Sequence, residues 1–393
     1  MIHARFFLVA LVVLIAIPAI LYRWLLAVLP VRYAGRRAWI LAGFGALVMA
    51  AVVGRVVLAR PNGSSTLYVS AFLILWSLAV AALPIGLFRG VVALVARFRP
   101  PRPAPSKADE APAPSALTRR QVVEGLGGAA LLSWSGGSLA WGVARGRFDV
   151  RMDEVVVRIP GLPKALEGYT IAQISDIHAG ALLDERILAR GLELLGRARP
   201  DLIVATGDLV DSDARFAPAL ARALADVRAR DGVFAILGNH DYYGGYERVW
   251  EAMVAARVRM LVNEGVAIRP NDGGGFALLG VDDAWAPRRG GAGPDLEAAI
   301  RSVPGDAPRV LLSHQPDTVD RFAGRVALQL SGHTHGGQYN PGFRPANLVM
   351  PYVAGRYDVR GTTLYVNRGL GTTGIPSRVG APPEISKIVL VSA

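Results

Sequence analysis

Five short segments of the sequence combine metal-ligating side chains with small residues. They are Asp176-Ile-His178, Gly207-Asp208-Leu-Val-Asp211, Gly238-Asn239-His240-Asp241, Ser313-His314 and Gly332-His333-Thr-His335. The chain has 6 histidines, and every histidine beyond residue 150 falls in these segments. Such mixed nitrogen and oxygen ligands suit manganese, iron or zinc better than magnesium or calcium. Because the chain has no cysteine, thiolate zinc sites, disulfides and a cysteine nucleophile are excluded.

Each of these segments follows a short apolar stretch typical of a buried strand. Strands are predicted at 169–175, 201–207, 232–238, 276–281, 309–313, 326–332, 363–367 and 385–391. Helical patterns lie between several of them, at 184–199, 217–230, 246–256, 295–302 and 316–322. This alternation predicts an α/β fold whose helices cover the sheet faces. Because the carboxyl ends of parallel strands share one edge of a sheet, we expect the five segments to converge.

The last segment carries two histidines one residue apart at a strand end. Side chains alternate in extended backbone, so His333 and His335 are expected to point the same way. Gly332, Gly336 and Gly337 allow the chain to turn tightly and to approach an ion closely. The spacing therefore predicts a pair of metal ligands rather than an ordinary turn.

In this order, the five segments resemble the calcineurin-like metallophosphoesterase family, whose pattern is D-x-H, G-D-x-x-D, G-N-H-[DE], a lone His and G-H-x-H. The resemblance covers roughly residues 165–391. The sequences of the motifs are most similar to those of membrane-anchored, twin-arginine-type bacterial members. It implies a four-layer αββα sandwich over residues 150–393. It also implies hydrolysis of phosphodiester or monoester bonds by metal-activated hydroxide, without a protein nucleophile.

The resemblance implies two divalent metal ions, with manganese favoured over iron and zinc. One ion would be held by Asp176, His178, Asp208 and His335. The other would be held by Asp208, Asn239, His314 and His333. Asp208 would therefore bridge the two ions, since a carboxylate offers two oxygens and offsets the charge of both cations.

Two further residues have implied catalytic roles. His240 resembles the family residue that stabilises the transition state or protonates the leaving oxygen. Asp211 resembles its orienting partner, and Asp241 is a second candidate for that role. The structural alternative for Asp211 is a helix N-cap.

The first part of the chain is apolar. Runs at 6–21, 38–59 and 67–88 approach or reach the length of about 20 residues that a bilayer core requires. A fourth, less apolar run at 125–143 follows Arg119 and Arg120, a pair that resembles a twin-arginine export signal. These features predict a transmembrane region of three helices (1–98), a Pro/Ala-rich linker (99–117) and a twin-arginine-like segment with a fourth membrane helix (118–148).

The net charge of +12 lies wholly in residues 1–150, whereas residues 151–393 are neutral. Basic residues are abundant after the first and third runs and sparse after the second, which predicts that those two loops are cytoplasmic. The catalytic domain of this multi-pass cytoplasmic membrane protein would then lie outside the cytoplasm, or inside if 125–143 does not insert. The neutral second half argues against a nucleic-acid partner.

The expected partners are therefore the lipid bilayer and a phosphoester substrate, lipid-linked or from the cell envelope. One alternative is a sugar-nucleotide lipid hydrolase of the lipid A type that faces the cytoplasm. Another is a non-catalytic metal-binding membrane module, against which the extra imidazole of His240 argues. The loop 282–293 carries Arg288 and Arg289, which could hold a second phosphate or form a solvated face. Arg344, Arg356 and Arg360 could likewise hold a second phosphate or form a solvated face.

Overall fold

The structure is a computed structural model that describes residues 17–28, 37–58, 66–98, 119–303 and 305–393. The chain forms two compact units, Met1–Ala140 and Trp141–Ala393. The predicted linker at 99–117 and most of the first apolar run, 6–16, lie outside the described residues.

Four helices account for the described part of the first unit, and the last of them ends just beyond it. They are α1 (Ile17–Val28), α2 (Arg37–Leu58), α3 (Thr66–Arg97) and α4 (Arg119–Ala144). The side chain of Glu124 on α4 forms an ion pair with Arg89 on α3, at 2.7 Å. The indole nitrogen of Trp24 on α1 donates to the backbone oxygen of Glu124, at 3.0 Å. These contacts hold α1, α3 and α4 together.

The predicted membrane helices are corrected by the structure. Among the described residues, no helix combines the length and the apolar character needed to cross a membrane. Helix α1 has 12 residues, against the roughly 20 that a bilayer core requires. Arg119, Arg120 and Glu124 all lie in the first two turns of α4. The predicted transmembrane region of three to four helices is therefore wrong, and so is the predicted multi-pass location in the cytoplasmic membrane.

The second unit contains two mixed sheets of six strands each in its described residues. In chain order the strands are β1 (Arg151–Ile159), β2 (Tyr169–Ile174), β3 (Leu202–Thr206), β4 (Val233–Ile236), β5 (Arg259–Met260), β6 (Glu264–Ile268), β7 (Phe276–Gly280), β8 (Arg309–Leu312), β9 (Leu328–Ser331), β10 (Gly355–Val359), β11 (Thr362–Val366) and β12 (Glu384–Ser392). The strand orders are β1-β12-β2-β3-β4-β5 and β10-β11-β9-β8-β7-β6.

The strands that lead to the five segments are parallel within each sheet. Strands β2, β3 and β4 pair in parallel in the first sheet, with Ile171 opposite Leu202 and Ile203 opposite Val233. Strands β7, β8 and β9 do the same in the second sheet. The carboxyl ends of the parallel strands in each sheet therefore meet at one edge, as the sequence predicts.

Six helices complete the described part of the second unit. They are α5 (Glu185–Arg197), α6 (Ala217–Leu224), α7 (Asn239–Gly244), α8 (Tyr246–Ala255), α9 (Leu296–Arg301) and α10 (Val319–Phe322). Helix α5 begins after Asp184, whose carboxylate accepts from the amide of Arg186 as an N-cap.

Three apolar clusters show how the layers stack. Alternate residues of a strand face opposite sides of its sheet, and β2 is an example: Ile171 joins the cluster between the two sheets, whereas Ala172 joins the cluster beneath helices α5, α6 and α8. The third cluster packs α9 on the outer face of the second sheet, through Leu279 and Ala299. The predicted four-layer αββα arrangement of the α/β part is confirmed.

Candidate metal centre

Five of the predicted ligand residues lie in a backbone conformation that L-residues rarely adopt. Asp176, His178, Asp208, His333 and His335 have φ of 48°, 48°, 51°, 72° and 51°. A left-handed conformation costs a residue with a side chain roughly 1–2 kcal/mol. Such strain persists only where the surrounding structure holds it, and it concentrates at functional sites. The turns after β2, β3 and β9 therefore place their side chains at an energetic cost.

The first group of converging atoms comes from the turns after β2 and β9. The Nε2 atoms of His178 and His335 lie 3.0 Å apart, and His335 Nε2 is 3.4 Å from Asp176 Oδ1. Atoms bound at about 2.0–2.2 Å from one ion lie about 3–3.5 Å from one another. Asp176, His178 and His335 therefore have the spacing of a metal site, and all three are buried.

The second group, Asp208, His314 and His333, lies next to the first. The Oδ2 oxygen of Asp208 lies 3.6 Å from His178 Nε2 and 3.2 Å from His314 Nε2. His314 Nε2 in turn lies 3.3 Å from His333 Nδ1. The other oxygen, Asp208 Oδ1, accepts from the backbone amide of His240 at 2.8 Å, which fixes the carboxylate. One oxygen of Asp208 is therefore placed between the two groups of histidines.

The remaining predicted ligand, Asn239, is the first residue of α7 and is also buried. Its side-chain oxygen has no hydrogen-bond partner among the described residues. A buried hydrogen-bond acceptor that has no partner destabilises the fold by about 1–3 kcal/mol. A ligand such as a metal ion would satisfy this oxygen.

Glycines next to the ligands leave no room for a side chain. A Cβ at Gly238 would collide with the carboxylate of Asp208, and one at Gly332 would collide with Asp176 and Ser175. At Gly207, which has φ of 89°, a Cβ would come within 2.7 Å of His314 Nδ1. The backbone therefore packs directly against the ligand side chains. The donor set, the unpartnered oxygen of Asn239 and this close packing all fit a pair of divalent ions.

Burial and charge favour the metal-binding forms of three residues of the candidate centre and oppose those of two others. Burial lowers the pKa of His333 to about 3, and burial together with Arg378 holds the pKa of His335 well below its ordinary value. Burial tends to raise the pKa of Asp208, but His314 outweighs it and keeps that pKa well below its usual range. Burial raises the pKa of Asp176. Burial tends to lower the pKa of His314, but Asp208 outweighs it and raises that pKa well above its ordinary value. Neutral imidazoles and an ionised carboxylate are the forms that bind metal ions.

His240 borders the centre and is more exposed than most of the candidate ligands. Its Nδ1 lies 3.3 Å from Asp211 Oδ1 and 3.0 Å from the hydroxyl of Ser212. Burial tends to lower the pKa of His240, yet the carboxylates of Asp211 and Asp208 raise it above its ordinary value. His240 also forms a third possible ligand group with His178 and Asp208, so metal ligation is a second role open to it.

The structure separates the two carboxylates considered as partners of His240. Asp211 Oδ1 lies between two imidazoles, 3.4 Å from His178 Nδ1 and 3.3 Å from His240 Nδ1. Asp241 is fully buried, and its two oxygens accept from the amides of Val210 and Gly238. Asp241 therefore ties the loop after β3 to the loop after β4, whereas Asp211 is the neighbour of the His240 ring.

Sequence reasoning assigned no role to Arg378, which the structure places against the centre. Its buried guanidinium donates to the backbone oxygens of Arg368 and His335, at 2.7 and 2.9 Å, and also to those of Gly369 and Gly371. Its Nη2 atom lies 3.1 Å from His335 Nδ1. The only sequence signal is an arginine at the end of the glycine-rich stretch 367–378, and that pattern does not reveal a buried cation.

Two aromatic residues that the sequence did not single out border the exposed side of the centre. The ring of Tyr243 lies 5.5 Å from that of His240, and the ring of Trp285 lies 5.7 Å from that of His333. Of the arginines considered, Arg356 pairs with Asp358 and Arg360 donates to the backbone oxygen of Asp320. Arg288 and Arg289 lie over the rings of Trp285 and Tyr243.

Comparisons with known proteins show what the chain is similar to. Residues 169–337 match the calcineurin-like phosphoesterase family. The uncharacterized metallophosphoesterase YkuE of Bacillus subtilis (strain 168) is 30% identical over 286 residues, which cover 70% of this chain and 98% of that protein. A transmembrane protein with metallophosphoesterase domain from Bos taurus is 35% identical over 251 residues, 61% of this chain and 56% of that protein. Among solved structures, TT1561 of Thermus thermophilus is 14% identical with a TM-score of 0.35, and the match covers 52% of this chain and 90% of that one.

The chain therefore belongs to the calcineurin-like phosphoesterase family, whose members are metal-dependent hydrolases of phosphoester bonds. It spans 56% of the length of the Bos taurus relative and 60% of that of a Danio rerio relative with the same description. The narrower resemblance to twin-arginine-type members stays a prediction.

Proposed function

We propose that this protein hydrolyses phosphodiester or phosphomonoester bonds at a dinuclear metal centre. One observation supports the proposal: two groups of candidate ligand atoms, drawn from four segments and two sheets, lie on either side of a single oxygen, Asp208 Oδ2, which is close to His178 and His314. Two divalent ions held there would supply a water of lowered pKa and neutralise the charge of the ester. Manganese is the favoured ion, ahead of iron and zinc.

The roles of the ligands follow from their grouping. Asp176, His178 and His335 would hold one ion, and Asn239, His314 and His333 would hold the other. Asp208 would contribute to both. Because both oxygens of Asp176 accept from the amide of His333 at 3.0 Å, the two halves of the centre are also tied through the backbone.

His240 is the proposed proton donor to the leaving oxygen. Its Nδ1 is occupied by Asp211 and Ser212, so Nε2 is the atom available to a substrate. Asp211 would keep the ring oriented and would stabilise its protonated form. A group that only held ions in place would have no need of this additional imidazole, which argues against a non-catalytic metal module.

The proposed substrate is lipid-linked, and the support is an exposed apolar loop beside the centre. Residues 341–352 are fastened at both ends to the histidine turn: Asn340 donates to the backbone oxygen of Gly336 at 2.9 Å, and Thr334 donates to that of Val353 at 2.6 Å. Between these anchors, the side chains of Phe343, Leu348, Val349 and Met350 are 61%, 82%, 81% and 39% exposed. A cluster of exposed apolar side chains marks a binding surface for an apolar group.

Hydrolysis is tested with bis-p-nitrophenyl phosphate and p-nitrophenyl phosphate, using purified chain loaded with Mn²⁺. We expect p-nitrophenol release that stops when the metal is removed with a chelator and returns when Mn²⁺ is added back. A chain that is folded and loaded with two ions but releases no p-nitrophenol from either ester would refute the proposed function.

The lipid link is tested with p-nitrophenyl phosphodiesters that carry either a short or a long acyl chain. In Phe343→Ser/Leu348→Ser, we expect the long-chain preference in kcat/KM to fall at least about tenfold, since burying each side chain is worth about 1.5–3 kcal/mol. Val254→Ser removes another exposed apolar side chain, from α8, and serves as the control. An equal preference for both chain lengths in the unaltered protein would contradict a lipid-linked substrate.

A further inference from the structure

The substrate-facing side of the centre is defined by its exposure. Asp176, His178, Asp208, Asn239, His314 and His335 are all buried, whereas His240 and His333 are partly exposed. A substrate therefore reaches the centre past these two imidazoles. Tyr243 lies beside His240, and Trp285 lies beside His333. The two aromatic rings consequently form the border that a substrate must contact.

Each of these rings supports an arginine. The guanidinium carbon of Arg289 lies 5.1 Å from the ring centroid of Tyr243, and that of Arg288 lies 5.8 Å from the ring centroid of Trp285. A guanidinium that stacks on an aromatic face keeps its N–H groups free to bind in its own plane. Because an arginine already lies over one face of each ring, the rings are less suited to stacking a nucleobase than to orienting the two guanidinium groups.

Neither arginine is neutralised by the protein. Both are exposed, and neither forms an ion pair with a carboxylate among the described residues. The other exposed arginines considered near the histidine turn, Arg356 and Arg360, have acceptors in Asp358 and in the backbone oxygen of Asp320. Two unpaired cations next to a metal centre are suited to an anionic group of the substrate.

The loop that carries the pair is held firmly. Asp282 accepts from the hydroxyl of Tyr242 at 2.5 Å and from the amide of Gly293 at 2.9 Å. Asp283 accepts from the side chain of Gln315 at 2.5 Å and from the amide of Trp285 at 2.7 Å. Tyr242 and Gln315 lie close in sequence to His240 and His314, so the loop keeps a fixed position relative to the ligands.

We propose that Arg288 and Arg289 bind a second phosphate of the substrate, next to the phosphate that is hydrolysed. The substrate class is therefore an ester with two neighbouring phosphate groups, such as a diphosphate ester. A guanidinium can bind a phosphate through two parallel hydrogen bonds. This geometry would give the two arginines a binding role, whereas arginines on a solvated loop surface would have none. This inference rests on the proposed hydrolysis at the metal centre and adds the identity of the group beside the reacting one.

The test compares two competitive inhibitors of bis-p-nitrophenyl phosphate hydrolysis by the full chain. Methylphosphonate carries one anionic phosphorus group, and methylenediphosphonate carries two that the enzyme cannot cleave. We expect the preference for methylenediphosphonate, expressed as the ratio of the two inhibition constants, to fall at least about tenfold in Arg288→Gln/Arg289→Gln, since two charged hydrogen-bond donors are lost.

Matched controls distinguish recognition of the second phosphate from a general loss of positive charge and from chelation of the metal ions by the inhibitor. Arg222→Gln/Arg248→Gln removes the same charge from exposed positions on α6 and α8 and should keep both the activity and the ratio. Elemental analysis after exposure to each inhibitor should show the same metal content in all variants, because chelation by the diphosphonate does not depend on the arginines.

The outcomes are distinct. A ratio that is unchanged in Arg288→Gln/Arg289→Gln, or that falls equally in the control pair, overturns the inference while leaving hydrolysis intact. If the unaltered chain hydrolyses neither bis-p-nitrophenyl phosphate nor p-nitrophenyl phosphate, the proposed function is refuted, and this inference with it.

Discussion

Asp208 is the residue that lies between the two halves of the candidate metal centre. Its Oδ1 is fixed by the amide of His240, and its Oδ2 lies within 3.6 Å of His178 and 3.2 Å of His314. Burial alone would favour the protonated form of this carboxyl, but His314 keeps its pKa low. An ionised oxygen between two histidine groups can balance two cations at once.

Replacing this carboxylate should remove both ions. In Asp208→Asn we expect less than half of the normal metal content and activity at the background level, because an amide carries no charge and binds cations far more weakly. Elemental analysis and circular dichroism measure metal content and fold. Asp213→Asn, the same change at a partly exposed residue that caps a short helical turn, should keep two ions per chain. Full metal loading in Asp208→Asn would rule out the bridging role.

His240 should act on the leaving group rather than on metal binding. In His240→Ala we expect kcat to fall about 10²–10⁴-fold, the usual contribution of general acid catalysis. The loss should be larger for an alkyl ester than for a p-nitrophenyl ester, whose leaving group needs no proton. Metal content should remain at two ions per chain. Loss of an ion in His240→Ala would instead assign His240 to the metal ligands, as its contact with His178 and Asp208 permits.

At the scale of elements, the loops after the strands carry the chemistry and their glycines set the distances. Strands β3 and β4 are parallel neighbours, and the loop after β4 presses Gly238 against the side chain of Asp208. Helix α7 begins at the next residue, so Asn239 is held by helical backbone rather than by a flexible loop. A side chain in this space would push the two loops apart.

Gly238→Ala should therefore damage the centre although it changes no ligand. Its Cβ would overlap the Asp208 carboxylate, and we expect at least about tenfold weaker metal binding, measured by titration with Mn²⁺. Gly196→Ala on helix α5 has open space around the added methyl group. It should leave metal binding unchanged and stabilise the helix by up to about 1 kcal/mol. Equal metal binding by both variants would show that the contact at Gly238 can relax.

The loop 368–378 should depend on its buried arginine. Removing Arg378 leaves several backbone oxygens without a donor, at about 1–3 kcal/mol for each buried one. In Arg378→Met we expect the free energy of unfolding to fall by at least about 3 kcal/mol, measured by denaturant titration. Arg301→Met, an exposed position at the end of α9, should change it by less than about 0.5 kcal/mol. A stability equal to that of the control would exclude this anchoring role.

The sequence predicted those elements that bury an apolar face. Strands β2, β3, β4, β7, β8 and β9 were identified because nearly all of their residues are buried and most of these residues are apolar. Strand β10 was missed because none of its residues is fully buried and its sequence GRYDV is short and has few large apolar residues. Strand β1 was missed because four of its nine residues are charged, and its partner β12 lies more than 200 positions away.

At the scale of the whole molecule, all candidate ligands and catalytic residues belong to the second unit. The first of these residues in the chain is Asp176, and the second unit begins at Trp141. Both sheets and all three of the apolar clusters described above lie within it as well. The chemistry therefore requires no residue from Met1–Ala140.

A fragment of residues 141–393 should fold and keep the centre. We expect circular dichroism typical of an α/β protein, two Mn²⁺ ions per chain and kcat for bis-p-nitrophenyl phosphate within about threefold of the full chain. The Asp208→Asn form of the same fragment provides the metal-free control. A fragment that folds but binds fewer than two ions would show that the first unit contributes to the centre.

The sequence by itself determined the ligand types, their order and the edge of the sheets at which they meet, because strand periodicity and the position of small residues are local properties. It misled in the first unit, where apolar composition predicted membrane spans that the described helices do not form. Tertiary structure alone decided that Asp208 Oδ2 lies between His178 and His314, that Asp211 rather than Asp241 faces His240, and that Arg378 lies behind His335. These contacts join residues far apart in sequence, and only the packing of two sheets and their loops brings them together.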